Sequence, residues 1–495
     1  MFPVFYTWYD TNRLGTLTLL NGGKDAITGI TVSFYMDKFM DAAVSTANPE
    51  KLEPGKELVV PLKALFNDDI LGIDTSTKKQ AQITVDYRVG NDAKQAKLNP
   101  AVNLEGRNGM NWIDDRRAAA FVTRKDQPIV VWAKNIWSAV QGEGSTVIDE
   151  NLRKAMAVHE AVRLHRMVYS KDPHTPYTGS AERKAEVDFL QFPRDTLLYK
   201  AVDCDDLSIL YCALLESLGV ETAFITVPGH IYVAIVPVAT PDQARAQYKH
   251  PGDLILTQDK AWVPVEMTKL GKDDDFVEAW ATGVKEWSDA QSKKAAVQIP
   301  IRTAQQEYAS VNLPKDTNPP PVVPATADLL TRYKNVTIKF LDGEMSERLA
   351  ELNKRVMDTN SDPEALNALG VFCAKFGRYP EAEVHLTNAS KKDTKYIAPL
   401  LNLGQISIVE HDLGTSLDFF ERAQKLDGKS SLVLLGLARV NHEMENYGAV
   451  RTALAELKKV DQGLATEFAY LELKGDEAQR AADISGAKEV AKWAE

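Results

Sequence analysis

A thiol, an imidazole and a carboxylate occur in that order at Cys204, His230 and Glu266. Such a set supplies a nucleophile, a general base and a group that orients the base. After Cys204, the apolar residues Leu207, Leu210, Tyr211, Leu214, Leu215 and Leu218 fall at helical spacing, and Gly219 is a stop signal. The spacing predicts a buried helix that begins at the cysteine, with Asp203 as its N-cap. A thiol in the first turn feels the positive end of the helix dipole, which favours thiolate. Asp205 and Asp206 oppose that charge, so a low thiol pKa needs a cationic partner, and His230 is the candidate. Residues 224–227 and 230–236 predict two strands around a Pro228-Gly229 turn, with His230, Tyr232 and Ala234 on one face. Glu266 ends the run Trp262-Val263-Pro264-Val265, on the Trp262 face of a neighbouring strand, within reach of the far nitrogen of His230.

The stretches DCDDLSILYCALLESLGV, PGHIYVAIV and WVPVEMT, in this order, resemble the transglutaminase-like superfamily over residues 107–300. The resemblance implies a papain-like α+β domain with the cysteine on a helix and the histidine and acid on adjacent strands. It implies amide acyl transfer at Cys204, His230 and Glu266, as a peptidase, a deamidase or a cross-linking enzyme, with no cofactor. It also makes Gln191, upstream of the cysteine, the candidate oxyanion donor beside the Cys204 N–H. A polar residue in a surface loop is the other reading of Gln191. The sequence departs from the family pattern in three places. Val202 stands where glycine is frequent, the acid is Glu rather than Asp, and an insert at 240–259 separates histidine from acid. The competing class of function is a structural scaffold in an envelope assembly, with the triad vestigial.

Composition narrows the field. With 69 acidic against 58 basic residues the formal net charge is -11, which argues against a nucleic-acid partner. No apolar run reaches the roughly 18 residues of a membrane span. The three cysteines Cys204, Cys212 and Cys373 do not make a disulfide framework. His159 and His165 lack the spacing of a two-ligand helical motif, and no structural metal is expected. The chain opens at once on FPVFYTWYD, as a mature domain does. With the resemblance, this leads to the expectation of an extracytoplasmic protein, periplasmic or envelope-associated, in a bacterium.

The order along the chain predicts a multidomain protein. Residues 1–106 read as all-β, with strands at 4–9, 15–20, 27–35, 57–65 and 81–89 separated by turn signals, an immunoglobulin-like sandwich in class. Residues 107–300 hold the central domain, with helices at 129–140, 150–170 and 276–287. Residues 301–326 carry NLPKDTNPPPVVP and read as a proline-rich linker. In residues 327–495, Leu369-Gly370, Leu403-Gly404 and Leu437-Ala438 recur at a spacing of 34 residues, the period of tetratricopeptide repeats. Such an all-α array implies a surface for protein or peptide partners. Residues 461–495 are expected to supply a capping helix.

Overall fold

Alternating apolar and polar residues build the N-terminal β-rich region. In the computed structural model, Ile27–Tyr35 and Gln82–Val89 pair antiparallel at the centre of a four-stranded sheet. Val44–Asn48 and Asp92–Leu98 are its edges. Ile30, Val32 and Phe34 alternate inward, as do Ile83 and Val85, and the register sets Val32 opposite Val85 and Phe34 opposite Ile83. Two further antiparallel pairs join Gly15–Leu20 to Glu57–Leu62 and Thr77–Gln80 to Ala101–Leu104. The structure describes residues 1–48, 51–143, 145, 147–170, 185–272, 274–315, 318–473 and 493–494.

One segment expected as a strand is not one. Residues Pro3–Asp10 form a 3-10 helix. Pro3 suits a first helical turn, and the aromatic side chains dock instead of pairing in a sheet. The Phe5 ring lies 5.5 Å from that of Tyr308, and Trp8 Nε1 donates to Glu307 Oε1 at 2.9 Å.

The central region is built on a five-stranded antiparallel sheet. Its order is Ile255–Leu256, Ala261–Val265, His230–Ile235, Thr222–Val227 and Val297–Pro300. The insert after residue 240 is not a featureless loop: it holds the short helix Pro241–Gln247, closed by a capping box of Thr240 and Gln243. Helices Gln127–Val140, Glu150–Leu164, Cys204–Ser217 and Phe276–Ser292 complete this region.

Contacts divide the chain into two compact units, Met1–Gly144 with Ile148–Phe340, and Ser145–Val147 with Leu341–Glu495. The β-rich and central regions thus share one unit. The proline-rich stretch, expected as a spacer, belongs to that unit too. Trp132 Nε1 donates to the Val322 carbonyl at 3.3 Å and Arg194 Nη1 to the Pro314 carbonyl at 2.9 Å. Residues Ile301–Glu307 within it are helical, and Gln305 reaches the Ala119 and Val122 carbonyls. Prolines lack the N–H that a sheet would use, but their carbonyls accept from side chains.

The second unit is all-helical. After the end of the long helix Thr326–Asp358 come Pro363–Lys375, Tyr379–Lys392, Ala398–Val409, Leu413–Leu426, Ser431–Glu443 and Tyr447–Val460. Small residues set the crossings. A Cβ at Gly404 would sit 2.8 Å from the Phe420 ring, and Gly436 meets the same ring from the next helix. The expected capping helix falls mainly on residues outside those described; Gln462–Glu467 forms its one α-helical turn and a half among the described residues. No helix among the described residues is long and apolar enough to cross a membrane.

Candidate thiol site

Helix Cys204–Ser217 begins at the cysteine, and the Asp203 side chain caps it by accepting from the Asp206 N–H at 3.3 Å. Gly219, with φ of +86°, ends it. The Ser208 hydroxyl donates to the Cys204 carbonyl at 2.7 Å and lies 3.3 Å from that of Ile231. It ties the first helical turn to the start of the His230 strand. The half-buried thiol thus lies on the helical turn that Ser208 ties to the sheet at Ile231, one residue after the histidine.

His230 and Glu266 form the tightest pair of the site. The imidazole Nε2 lies 2.6 Å from Glu266 Oε2. Strand register explains the meeting. Ala234 pairs with Pro264, which keeps residues 262, 264 and 266 on the face of residues 234, 232 and 230. Pro264 lies past the end of the short strand Ile255–Leu256, so its missing N–H interrupts no outer ladder. Glu266 itself sits just beyond the strand, and its N–H donates to the Ala279 carbonyl at 3.0 Å. Its other oxygen, Oε1, accepts from the Thr268 N–H at 2.7 Å and from the Thr268 hydroxyl. The carboxylate is 1 % exposed and fully satisfied.

These contacts set the charges. Burial works against ionised Glu266, but the His230 hydrogen bond and charge and the two Thr268 donors hold its pKa below the usual value. Burial likewise opposes the imidazolium, yet the Glu266 hydrogen bond and charge, with that of Glu286, raise His230. The thiol behaves oppositely to the expectation from its helix position. Burial, then the charges of Asp205 and Asp203, push Cys204 well above the usual thiol range, and the Ile231 amide only partly offsets them. Burial first, and then the acids at the helix start, oppose the thiolate that the dipole favours.

Three residues of the site carry no motif. Glu286 Oε2 lies 3.7 Å from His230 Nε2, buried and without a hydrogen-bond partner. Burial, then the charge of Glu266, raises the Glu286 pKa to about 7. Its helix comes this close because Gly283 has no side chain: a Cβ there would sit 2.6 Å from the Pro264 carbonyl oxygen. Tyr232 stacks on His230 with ring centroids 5.9 Å apart, and its buried hydroxyl has no partner. Burial, then the charges of Cys204 and Asp203, raises Tyr169 to about 12.

Gln191 is near the helix start, but its amide is already used. Nε2 donates to the Ala201 carbonyl at 2.7 Å and to Asp206 Oδ2 at 2.6 Å, while Gln191 N donates to Asp206 Oδ1 at 2.7 Å. Both N–H bonds of the carboxamide are spent, and Oε1 is buried without a partner. An oxyanion role requires one of these bonds to be released. The Cys204 backbone N–H, in the first helical turn, has no intrahelical acceptor and needs no such release.

Two groups of ligand-type side chains converge among the described residues: His230, Glu266 and Glu286, and Asp203, Asp205 and Asp206, each with ligand atoms within 4.8 Å of one another. The other buried titratable groups are tied into packing. His165 Nε2 lies 2.8 Å from the Leu197 carbonyl, and His159 Nδ1 lies 3.1 Å from Glu160. Glu216 accepts from Arg124 at 3.1 Å, Arg302 at 3.0 Å and the Thr222 N–H at 2.9 Å. A cavity of about 820 Å³ is lined by Arg124, Asp126, Arg194, Gln305 and Asn312 among others, and by none of Cys204, His230 and Glu266.

Compared with known proteins, the chain matches no family model and no curated protein.

Proposed function

We propose that this chain is a transglutaminase-like cysteine acyl-transfer enzyme acting on protein or peptide amides. The observation that carries the reading is the 2.6 Å His230–Glu266 pair on the strand to which Ser208 ties the start of the cysteine helix, with Glu266 locked by Thr268. In this reading the β-rich region is an immunoglobulin-like sandwich, the central region a papain-like α+β domain, and the helical unit a tetratricopeptide array that binds partner proteins. The setting is a bacterial envelope or periplasm.

The chemistry follows from the charges. Because the resting sulfur is a thiol, His230 takes its proton as Sγ attacks the amide carbon. Nε2 is engaged by Glu266, so the proton moves through Nδ1. The tetrahedral oxyanion is received by the Cys204 N–H. Collapse expels the amine, which leaves with the proton from His230, and a thioester remains on Cys204. Water attacks the thioester to give the acid, or an amine attacks to give a new amide; His230 again accepts the proton and returns it to sulfur.

The high thiol pKa and the engaged Gln191 amide favour a second reading, a scaffold with a vestigial triad. One experiment separates them. The chain is incubated with a glutamine-containing peptide and hydroxylamine, and hydroxamate and ammonia are measured. The enzyme reading expects both products from the wild type and neither from Cys204→Ser. Absence of product from the wild type, with the protein folded by circular dichroism, favours the scaffold.

A further inference from the structure

In the helical unit, two asparagines hold a short piece of the same chain. Asn402 lies on helix Ala398–Val409 and is 0 % exposed; Asn367 lies on Pro363–Lys375 and is 1 % exposed. The Asn402 carboxamide pairs with the backbone of Ala494 in both directions. Its Nδ2 donates to the Ala494 carbonyl at 2.8 Å, and its Oδ1 accepts from the Ala494 N–H at 2.8 Å. Asn367 Nδ2 donates to the same carbonyl at 2.9 Å, and Asn402 Nδ2 also donates to Asn367 Oδ1 at 2.9 Å. Every donor and acceptor that one residue offers on its main chain is used.

Apolar contacts flank this pairing. Ala494 is 7 % exposed within the cluster that contains Ala398, Leu401 and Leu434. Trp493 packs against a different cluster, around Leu352, Leu369 and Leu403. The asparagines read backbone and are indifferent to side chain. Selectivity must come from the neighbours: a small residue where Ala494 is enclosed, and a large apolar one just before it.

Buried asparagine amides need partners, because an unmatched carboxamide in such surroundings bears its full desolvation cost. Leucine at 402 would serve a plain helical packing face. An Asn pair aimed at the main-chain N–H and C=O of one residue is instead the arrangement of a peptide-binding site. We infer that Asn367 and Asn402 form a clamp for an extended peptide with a large apolar residue followed by a small one, and that Trp493 and Ala494 occupy it as a built-in competitor. An incoming partner peptide of the same pattern binds by displacing this segment. The inference deepens the reading of the helical unit as a binding module, and it is independent of the thiol chemistry.

The test uses the full chain and a labelled peptide of residues 489–495, EVAKWAE. A tethered segment competes at millimolar effective concentration, so the wild type takes up the peptide weakly. The double substitution Trp493→Ala with Ala494→Pro removes the anchor and the N–H that Asn402 accepts. This released protein is expected to bind the peptide at least about tenfold more tightly than the wild type. Adding Asn402→Ala to the released protein should abolish the gain. Circular dichroism and thermal melting verify that the variants remain folded. Equal binding by wild type and released protein overturns the built-in competitor. No binding by a folded released protein overturns the clamp. A concentration-dependent dimer of the wild type in light scattering, lost on release, would show that the segment is exchanged between copies and overturn the intramolecular contact. Hydroxamate and ammonia formation, the readout of the other proposal, should be the same in all these proteins.

Discussion

Both units bury uncharged polar side chains, but only one buries carboxylates and imidazoles among the described residues. Among the described residues, the buried carboxylates and imidazoles are His159, Glu160, His165, Asp188, Asp205, Asp206, Glu216 and Glu266, all in the first unit. The buried polar residues of the second are Asn367, Asn402, Gln405, Ser407, Ser416 and Asn441, all uncharged. A buried carboxylate holds or loses a proton according to its neighbours, which suits a site that must move protons. A buried amide keeps its donors and acceptors at every ordinary pH, which suits a surface that must recognise backbone. The difference teaches that the polarity buried in one unit can change its charge with pH while that of the other cannot.

The largest effect that tests this contrast is at Glu266. Glu266→Gln keeps an acceptor for Thr268 but removes the charge that stabilises the imidazolium. Hydroxamate formation at neutral pH should fall by about a thousandfold, with little change in thermal melting. An unchanged rate would remove Glu266 from the proton path and leave the first unit with no reactive use of its buried charge.

The matching break in the second unit is steric. Gly436→Ala forces a methyl into the Phe420 ring, and Gly404 closes the ring from the other side. Overpacking of this kind costs about 1–3 kcal/mol. Hydrogen exchange should accelerate in peptides from 398–460 and stay unchanged around the thiol. Uniform acceleration through both regions would mean that the units do not unfold separately.

A proton should sharpen the comparison further. Burial, then the charge of Asp203, raises Asp206 from 3.8 to about 7, against the Gln191 hydrogen bonds. A carboxyl raised on folding holds its proton more tightly in the native state. Its stabilisation is complete below the unfolded value of 3.8 and is lost as the pH rises to about 7. Asp206→Asn removes this dependence, so its stability relative to wild type should improve by about 1–3 kcal/mol between pH 4 and pH 8. Denaturant melts at the two pH values measure it; a constant difference would contradict a proton held at Asp206.

The smallest effect concerns the thiol. With burial, then the charges of Asp205 and Asp203, holding Cys204 up, its alkylation rate should climb across pH 6 to 9 without a plateau at the acid end. Asp205→Asn should raise the rate at pH 7 by about tenfold, the effect of about one pKa unit. A rate that is flat below pH 7 in the wild type would instead indicate a standing thiolate–imidazolium pair.

Part of this arrangement is readable from sequence. Period-two alternation puts His230 and Tyr232 on one face and Glu266 on the face of Trp262, and the strand register then joins them. The start of the cysteine helix is legible from Asp203 and the leucine spacing, and the helix pairs of the second unit from their small residues. The thiol pKa is not legible, because it depends first on how deeply the sulfur is buried and then on the charges of Asp205 and Asp203. Glu286 is hidden because FVEAWATGVKEW shows an apolar helix face, and only the close approach at Gly283 turns that residue toward the histidine. The Gln191 amide reads as available until Asp206 is seen to take it. Asn402 and Ala494 are 92 residues apart, and no local pattern connects them. The proline-rich stretch misleads for a related reason: its composition describes its stiffness, and the carbonyls that anchor it are common to all residues.

The carboxylate of Glu216 has a mechanical consequence. It stands near the far end of the 14-residue cysteine helix and is gripped by Arg124, Arg302 and the Thr222 amide. An α-helix is a stiff rod, so this grip acts as an axial stop about 20 Å from the sulfur. Any slip there is delivered to the thiol undiminished, and one residue of rise is about 1.5 Å, enough to spoil an attack geometry. The alignment of the sulfur is therefore set at both ends of the rod, and two arginines remote from it act as its set screws.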